Sequence, residues 1–144
     1  MKYWVKNVGD PTIGWDNRDL WPALDTTKTT ADVWFPDARR QGIQHGDWFV
    51  IYAVYGPGRV VGFGQAITPL QPRDTSEAWD AQYPWKVRIQ LEAYVTDPWS
   101  GWKAQDPDGQ PFPVNRGSHW SISAATYEAL LEGFRRHLKS IGGQ

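Results

Sequence analysis

The chain has 144 residues, with fifteen basic against sixteen acidic side chains, a net charge of −1 and no cysteine. This length predicts one domain, 1–144, with a core that needs neither disulfide nor metal. The lack of cysteine excludes disulfides, thiolate zinc sites and cysteine nucleophiles, and near-neutrality removes any bulk electrostatic attraction to a phosphate backbone.

No apolar run approaches the roughly 20 residues of a membrane span, and the opening MKYWVKNVGD has no apolar stretch leading to a small-residue cleavage site. The expectation is a cytoplasmic protein with no membrane partner. Ten tryptophans are present. Each indole N–H needs a partner when buried, so so many in so short a chain point either to an unusual core or to flat surfaces for a planar ligand.

In chain order, residues 2–8 (KYWVKNV) predict a first strand, closed by Gly9, Asp10 and Pro11. Residues 15–24 fit either a short helix broken by Pro22 or a structured loop. The polar tract from Asp25 to Asp32 predicts a loop, and Phe35–Gln44 a short helix with Pro36 in its first turn, where the missing N–H is harmless. Residues 47–56 and 59–68 form the clearest hairpin, rich in Val, Ile, Phe and Tyr around Gly56-Pro57-Gly58.

Further on, Trp85, Val87, Ile89, Leu91, Ala93 and Val95 alternate with polar neighbours, which predicts a strand with one buried face. Residues 96–117 predict a long loop pinned by Trp99, Trp102 and Phe112, and residues 118–122 a short strand. A last helix follows Ser123 as N-cap, with Tyr127, Leu130, Leu131, Phe134, Leu138 and Ile141 in one apolar stripe. Arg135, Arg136, His137 and Lys139 stand near the negative end of its dipole. Strands forming a curved sheet, short helices and this closing helix predict an α+β fold built on a small barrel.

Catalytic signatures are lacking. His45, His119 and His137 fit no zinc spacing, no GxSxG elbow occurs, and Gly62-Phe63-Gly64 lies inside a strand rather than before a helix. A non-catalytic protein without cofactor or metal is expected.

Several pieces in order resemble the EVE domain, a member of the PUA-like group that includes the YTH and ASCH domains. They are Tyr3-Trp4-Val5, then Gly46-Asp47 before a strand ending in Ile51-Tyr52, then Val60-Val61-Gly62-Phe63-Gly64. Trp85 heads the alternating strand, and His119-Trp120-Ser121-Ile122-Ser123 runs into a helix containing Tyr127. The resemblance implies a PUA-like pseudo-barrel of mixed and antiparallel strands, with short helices and a C-terminal amphipathic helix. It also implies a pocket that reads a modified, methylated base flipped out of DNA or RNA, in a module that stands alone or associates with a nuclease or other effector protein. The chain departs from the family where Lys-Ser-Glu-Pro becomes Lys6-Asn7-Val8-Gly9-Asp10-Pro11 and Tyr-His-Ser becomes Tyr52-Ala53-Val54. A third departure is Val33-Trp34-Phe35-Pro36-Asp37-Ala38-Arg39 in place of Asn-Tyr-Gln-Ala-Arg.

On this reading Trp34 and Tyr52 converge on one pocket, with Trp4 and Trp120 at its floor or wall and Ser121 donating to a base edge. Tyr52 equally fits plain core packing, and Ser121 an ordinary strand position. Asp37 or Asn17 would accept from an exocyclic amine, as flipped-base sites require, and each also fits a cap or turn. Arg39 and Arg40 would contact phosphates or remain solvated. Two other functions fit the same features: a sensor of a small planar ligand, and an ASCH-like RNA-processing nuclease.

Overall fold

The computed structural model describes residues 1–9, 24–35, 42–54, 58–72, 84–104 and 119–142. Among these residues seven strands form one sheet: β1 (Tyr3–Val8), β2 (Thr30–Phe35), β3 (Trp48–Ala53), β4 (Arg59–Ala66), β5 (Gln71–Pro72), β6 (Trp85–Tyr94) and β7 (His119–Ile122). The order is β2-β6-β4-β3-β1-β7, with β5 also on β6. Only β1 and β3 run parallel. One helix, α1 (Ala124–Gly142), follows β7 directly. The α+β pseudo-barrel expected from the sequence is the fold observed.

The sheet curls until its two edge strands meet. Phe35 of β2 and His119 of β7 stand edge to face at 5.3 Å, although four strands lie between them in the sheet order. Two bulges interrupt the hydrogen-bond ladders, between Ile51 and Tyr52 against β4 and between Phe63 and Gly64 against β6. Bulges increase local twist, and glycine permits the close approach of β4 to β6. A Cβ on Gly64 would lie 2.3 Å from the Gln90 carbonyl oxygen. The glycine-punctuated VVGFGQA is therefore a bending strand.

Alternation along each strand assigns two faces. Trp4, Lys6, Phe49, Ile51, Val33, Phe35 and Ile89 share the concave face. Tyr3, Val5, Trp48, Val50 and Phe63 share the convex face, on which α1 packs. Tyr127 of α1 packs against Tyr3, Trp48 and Phe63 at 5.2, 5.9 and 5.6 Å, and Phe134 against Phe63 at 5.1 Å. Leu130, Leu131 and Phe134 are buried and Leu138 packs at the margin, whereas Ile141 at the end of the expected stripe is 51% exposed. The Ser123 hydroxyl caps α1 by accepting from Thr126 N at 3.1 Å.

Two elements differ from the sequence reading. The tract Asp25–Asp32 is not all loop: it turns tightly at Asp25, whose carboxylate accepts from Thr27 N and Lys28 N, and enters β2 at Thr30. Asp32 is an internal strand residue, buried because Arg88 on β6 grips both its oxygens at 2.8 and 3.3 Å, and Lys86 stands 3.8 Å away. Phe35 closes β2 opposite Trp85 instead of opening a helix, and residues 42–44 are not helical. Residues 36–41 lie outside the described residues, as do Phe112 and most of 15–24. After β6, a short 3-10 turn (Pro98–Ser100) brings Trp102 back to bridge Val60. Trp102 seats its ring over Gly133 of α1 and pins the start of the long segment as expected, whereas Trp99, expected to help, is 41% exposed.

Candidate nucleic-acid interface

The concave side is organised by Asp47, a carboxylate only 2% exposed, just before β3. It accepts from Lys2 N, from the Trp4 indole Nε1 and from Gln44 N, each at 3.0 Å. Trp4 thereby gains the partner that a buried indole requires, and its ring is fixed against His119 at 5.3 Å. Gly46 makes this possible, because it holds φ +96 while its N–H donates to Ala66 O. The Gly46-Asp47 pair is thus the bracket that joins the starts of β1 and β3 to the end of β4.

Next along β1 on the same face comes Lys6. It is 3% exposed, and its Nζ sits 4.9 Å above the Phe35 ring. An ammonium offers three donors. Among the described residues the Lys6 amine makes one hydrogen bond, to the Asn7 carbonyl at 2.7 Å, and no ion pair. Burial without a counter-charge disfavours the charged form, and the Lys6 pKa falls to about 7. His119 is also displaced, to about 4, first by burial and then by repulsion from Lys6. At neutral pH this corner therefore holds a neutral imidazole beside an amine poised between its two forms, with Trp4 and Phe35 as flat walls. His119 is only half-buried and Ser121 is exposed, so it is along β7 that this corner reaches solvent, whereas Trp4, Lys6 and Phe35 are buried.

The expected site residues divide between the two faces. Trp4 and Ser121 are register partners and share the concave face. Trp120 pairs with Val5 and faces the other way, half-buried. Trp34 alternates with Val33 and Phe35, which puts it on the convex face of β2, opposite Lys86 at the start of β6. Tyr52 pairs with Val60 near the start of β4, and Gly62 of that strand meets Tyr94 at the end of β6. Trp34 and Tyr52 therefore sit at opposite ends of the sheet with two strands between them, and the structure does not bring them together. Tyr52 is 5% exposed, and burial raises its hydroxyl pKa. Asn17, Asp37, Arg39 and Arg40 lie outside the described residues.

Lys6, His119, Phe35 and Asp47 were not among the expected site residues. The signal for Lys6 was present in YWVKNV: its alternation with Trp4 and Val8 aims a lysine inward in a strand flanked on both sides.

The half-barrel with one closing helix defines the class of fold, that of the YTH and wider PUA-like domains. The chain is similar over 99% of its length to the YTH domain of Mmi1 in complex with RNA, at TM-score 0.60 and 12% identity, covering 87% of that chain. It is also similar to the YTH domain of Zygosaccharomyces rouxii MRB1 in complex with N6-methyladenosine RNA (TM-score 0.52, 13% identity, 93% and 86% coverage). A Rhodopseudomonas palustris protein solved by NMR gives TM-score 0.51 and 15% identity, with 94% of each chain covered. No protein-family model and no curated protein matches the chain.

Proposed function

We propose that this chain is a non-catalytic module of EVE or YTH type that binds nucleic acid, DNA or RNA, and holds a modified base on the concave side of its half-barrel. The observation that carries the reading is the set Trp4, Phe35 and His119 around an amine with no counter-charge. A stacking base contributes about 1–3 kcal/mol per aromatic contact, so two rings supply about 2–6 kcal/mol, at best a Kd of tens of micromolar with little help from phosphates. Solved domains of this fold carry RNA, one of them RNA with a methylated base, which supports a nucleic-acid partner here. Trp34, with its convex position beside Lys86, would serve as a second contact for strand flanking the base.

Titration of tryptophan fluorescence with oligonucleotides that differ only in one methylated base tests the proposal. The modified oligonucleotide should bind more tightly. Because one buried methyl group is worth about 0.8 kcal/mol, a few-fold preference is expected from the methyl alone. Equal or absent binding across DNA and RNA sets would overturn the reading.

A second reading, a sensor of a small planar ligand, draws on one specific observation. Charges on the described convex surface are largely paired off, Asp32 with Arg88 and Glu92 with Arg135, and the chain as a whole is near neutral. Under that reading a free nucleoside binds as tightly as the oligonucleotide that contains it.

A further inference from the structure

The Lys6 amine poses a problem that the fold does not solve. A fully buried lysine normally has an acid or several carbonyls about it, since an unpaired polar group in the interior costs free energy. Lys6 spends one donor on Asn7 O and lays its remaining surface on the Phe35 ring. Among the described residues, the groups facing it from the packed elements are Trp4 on its own strand, Phe35 from β2, Phe49 and Ile51 from β3, and His119 from β7. Of these only His119 titrates, and with its pKa lowered to about 4 it is neutral where Lys6 titrates and supplies no counter-charge. Asp47, the carboxylate that holds Trp4 on this face, is committed to Lys2 N, Trp4 Nε1 and Gln44 N.

Resting on the nucleic-acid reading above, we propose that Lys6 donates to a ring carbonyl oxygen of the bound base, and that binding is coupled to uptake of a proton from solvent by the Lys6 amine. The two open donors ask for an acceptor oxygen, which either a ring carbonyl or a phosphate can provide. The surroundings favour the ring carbonyl: aromatic rings stand beside the amine, and a charged phosphate would lose its hydration in a corner where Lys6 is only 3% exposed. Because the free amine titrates near pH 7, an acceptor at Nζ stabilises the ammonium and raises its pKa in the complex. Binding then tightens as pH falls toward 7, with an added proton taken up from solvent. Guanine, cytosine and uracil present carbonyl oxygens and adenine presents none, so the site prefers a keto base and the methyl group is read elsewhere on the ring.

Calorimetry with single-stranded RNA pentamers carrying U, C, G or A at the centre, at pH 6.5 and 8.5 and in two buffers of different ionisation enthalpy, tests this directly. The expected results are tighter binding at pH 6.5 by about tenfold or more, proton uptake near pH 7.5, and about tenfold weaker binding of the adenine pentamer. Lys6→Arg should bind without the pH dependence. Lys6→Met, which folds readily because it removes a buried amine, should lose both the pH dependence and the base preference. Binding that is flat with pH and unchanged in Lys6→Met overturns this inference and leaves the nucleic-acid reading standing. Competition by inorganic phosphate with no preference among the four bases assigns the contact to phosphate and also overturns it. No binding of any pentamer at either pH overturns the nucleic-acid reading and this inference together.

Discussion

Single residues on this chain take roles that their chemistry alone does not announce. Asp47 holds two backbone N–H groups and one indole in a buried corner. Each buried donor left unpaired costs about 1–3 kcal/mol. Asp47→Ala should therefore lower stability by about 3 kcal/mol or more in denaturant unfolding, with Asp47→Asn intermediate. Lys6 carries the clearest pH signature. Its pKa is near 10.5 when unfolded and about 7 when folded, so between those values the unfolded chain holds a proton that the native one lacks. Stability then rises with pH across that window, by up to about 1.4 kcal/mol per unit, until the tyrosines begin to ionise. Tyr127, whose hydroxyl donates to Glu92 and whose pKa is raised first by burial, sets that upper limit. His119 acts at the other end, where stability is lost as pH falls from about 6.5 toward 4. Thermal melts should show a midpoint climbing from pH 7 to 9, and Lys6→Met should flatten that climb while raising the midpoint at pH 7.

At the scale of elements, the packing of α1 depends on a glycine in the helix interior. Propensity alone says that Gly133→Ala stabilises by about 1 kcal/mol. A Cβ there would lie 2.3 Å from the Trp102 ring, so the ring or the helix must move. Overpacking costs about 1–3 kcal/mol, and Gly133→Ala should be destabilising. Trp102→Leu in the same chain should recover part of the loss, which a double-mutant cycle measures. The elements that could be read in the sequence are those with an unbroken period: the β3–β4 hairpin, β6 with its strict alternation, and the apolar stripe of α1. Strand β2 was hidden because TADVWF puts an aspartate in mid-strand, and the Arg88 that makes it tolerable is 56 residues away. The same distance effect hid the site. Lys6, Phe35 and His119 meet only because the sheet curls, and no local pattern records that three strands distant in sequence close on one another. Trp34 and Tyr52 belong to matching motifs, yet strand register sends them to opposite ends of the sheet.

Among the described residues the molecule is a curled sheet with α1 packed on its convex side and, on its concave side, an aromatic corner around an amine with no ion pair. Net charge of −1 limits how many phosphates it can neutralise. Each phosphate neutralised on duplex DNA contributes about −0.9 to the slope of log K against log salt, so a slope shallower than about −6 is expected, and a steeper one would require a basic surface that the composition does not supply. Affinity then has to come from the base itself. The most direct measurement of that claim is a map of NMR chemical-shift changes as a modified single-stranded oligonucleotide is added. Shifts concentrated at Lys6, Trp4, His119 and Ser121 are the result this account predicts; shifts confined to the outer face of α1, with the concave corner silent, would contradict it.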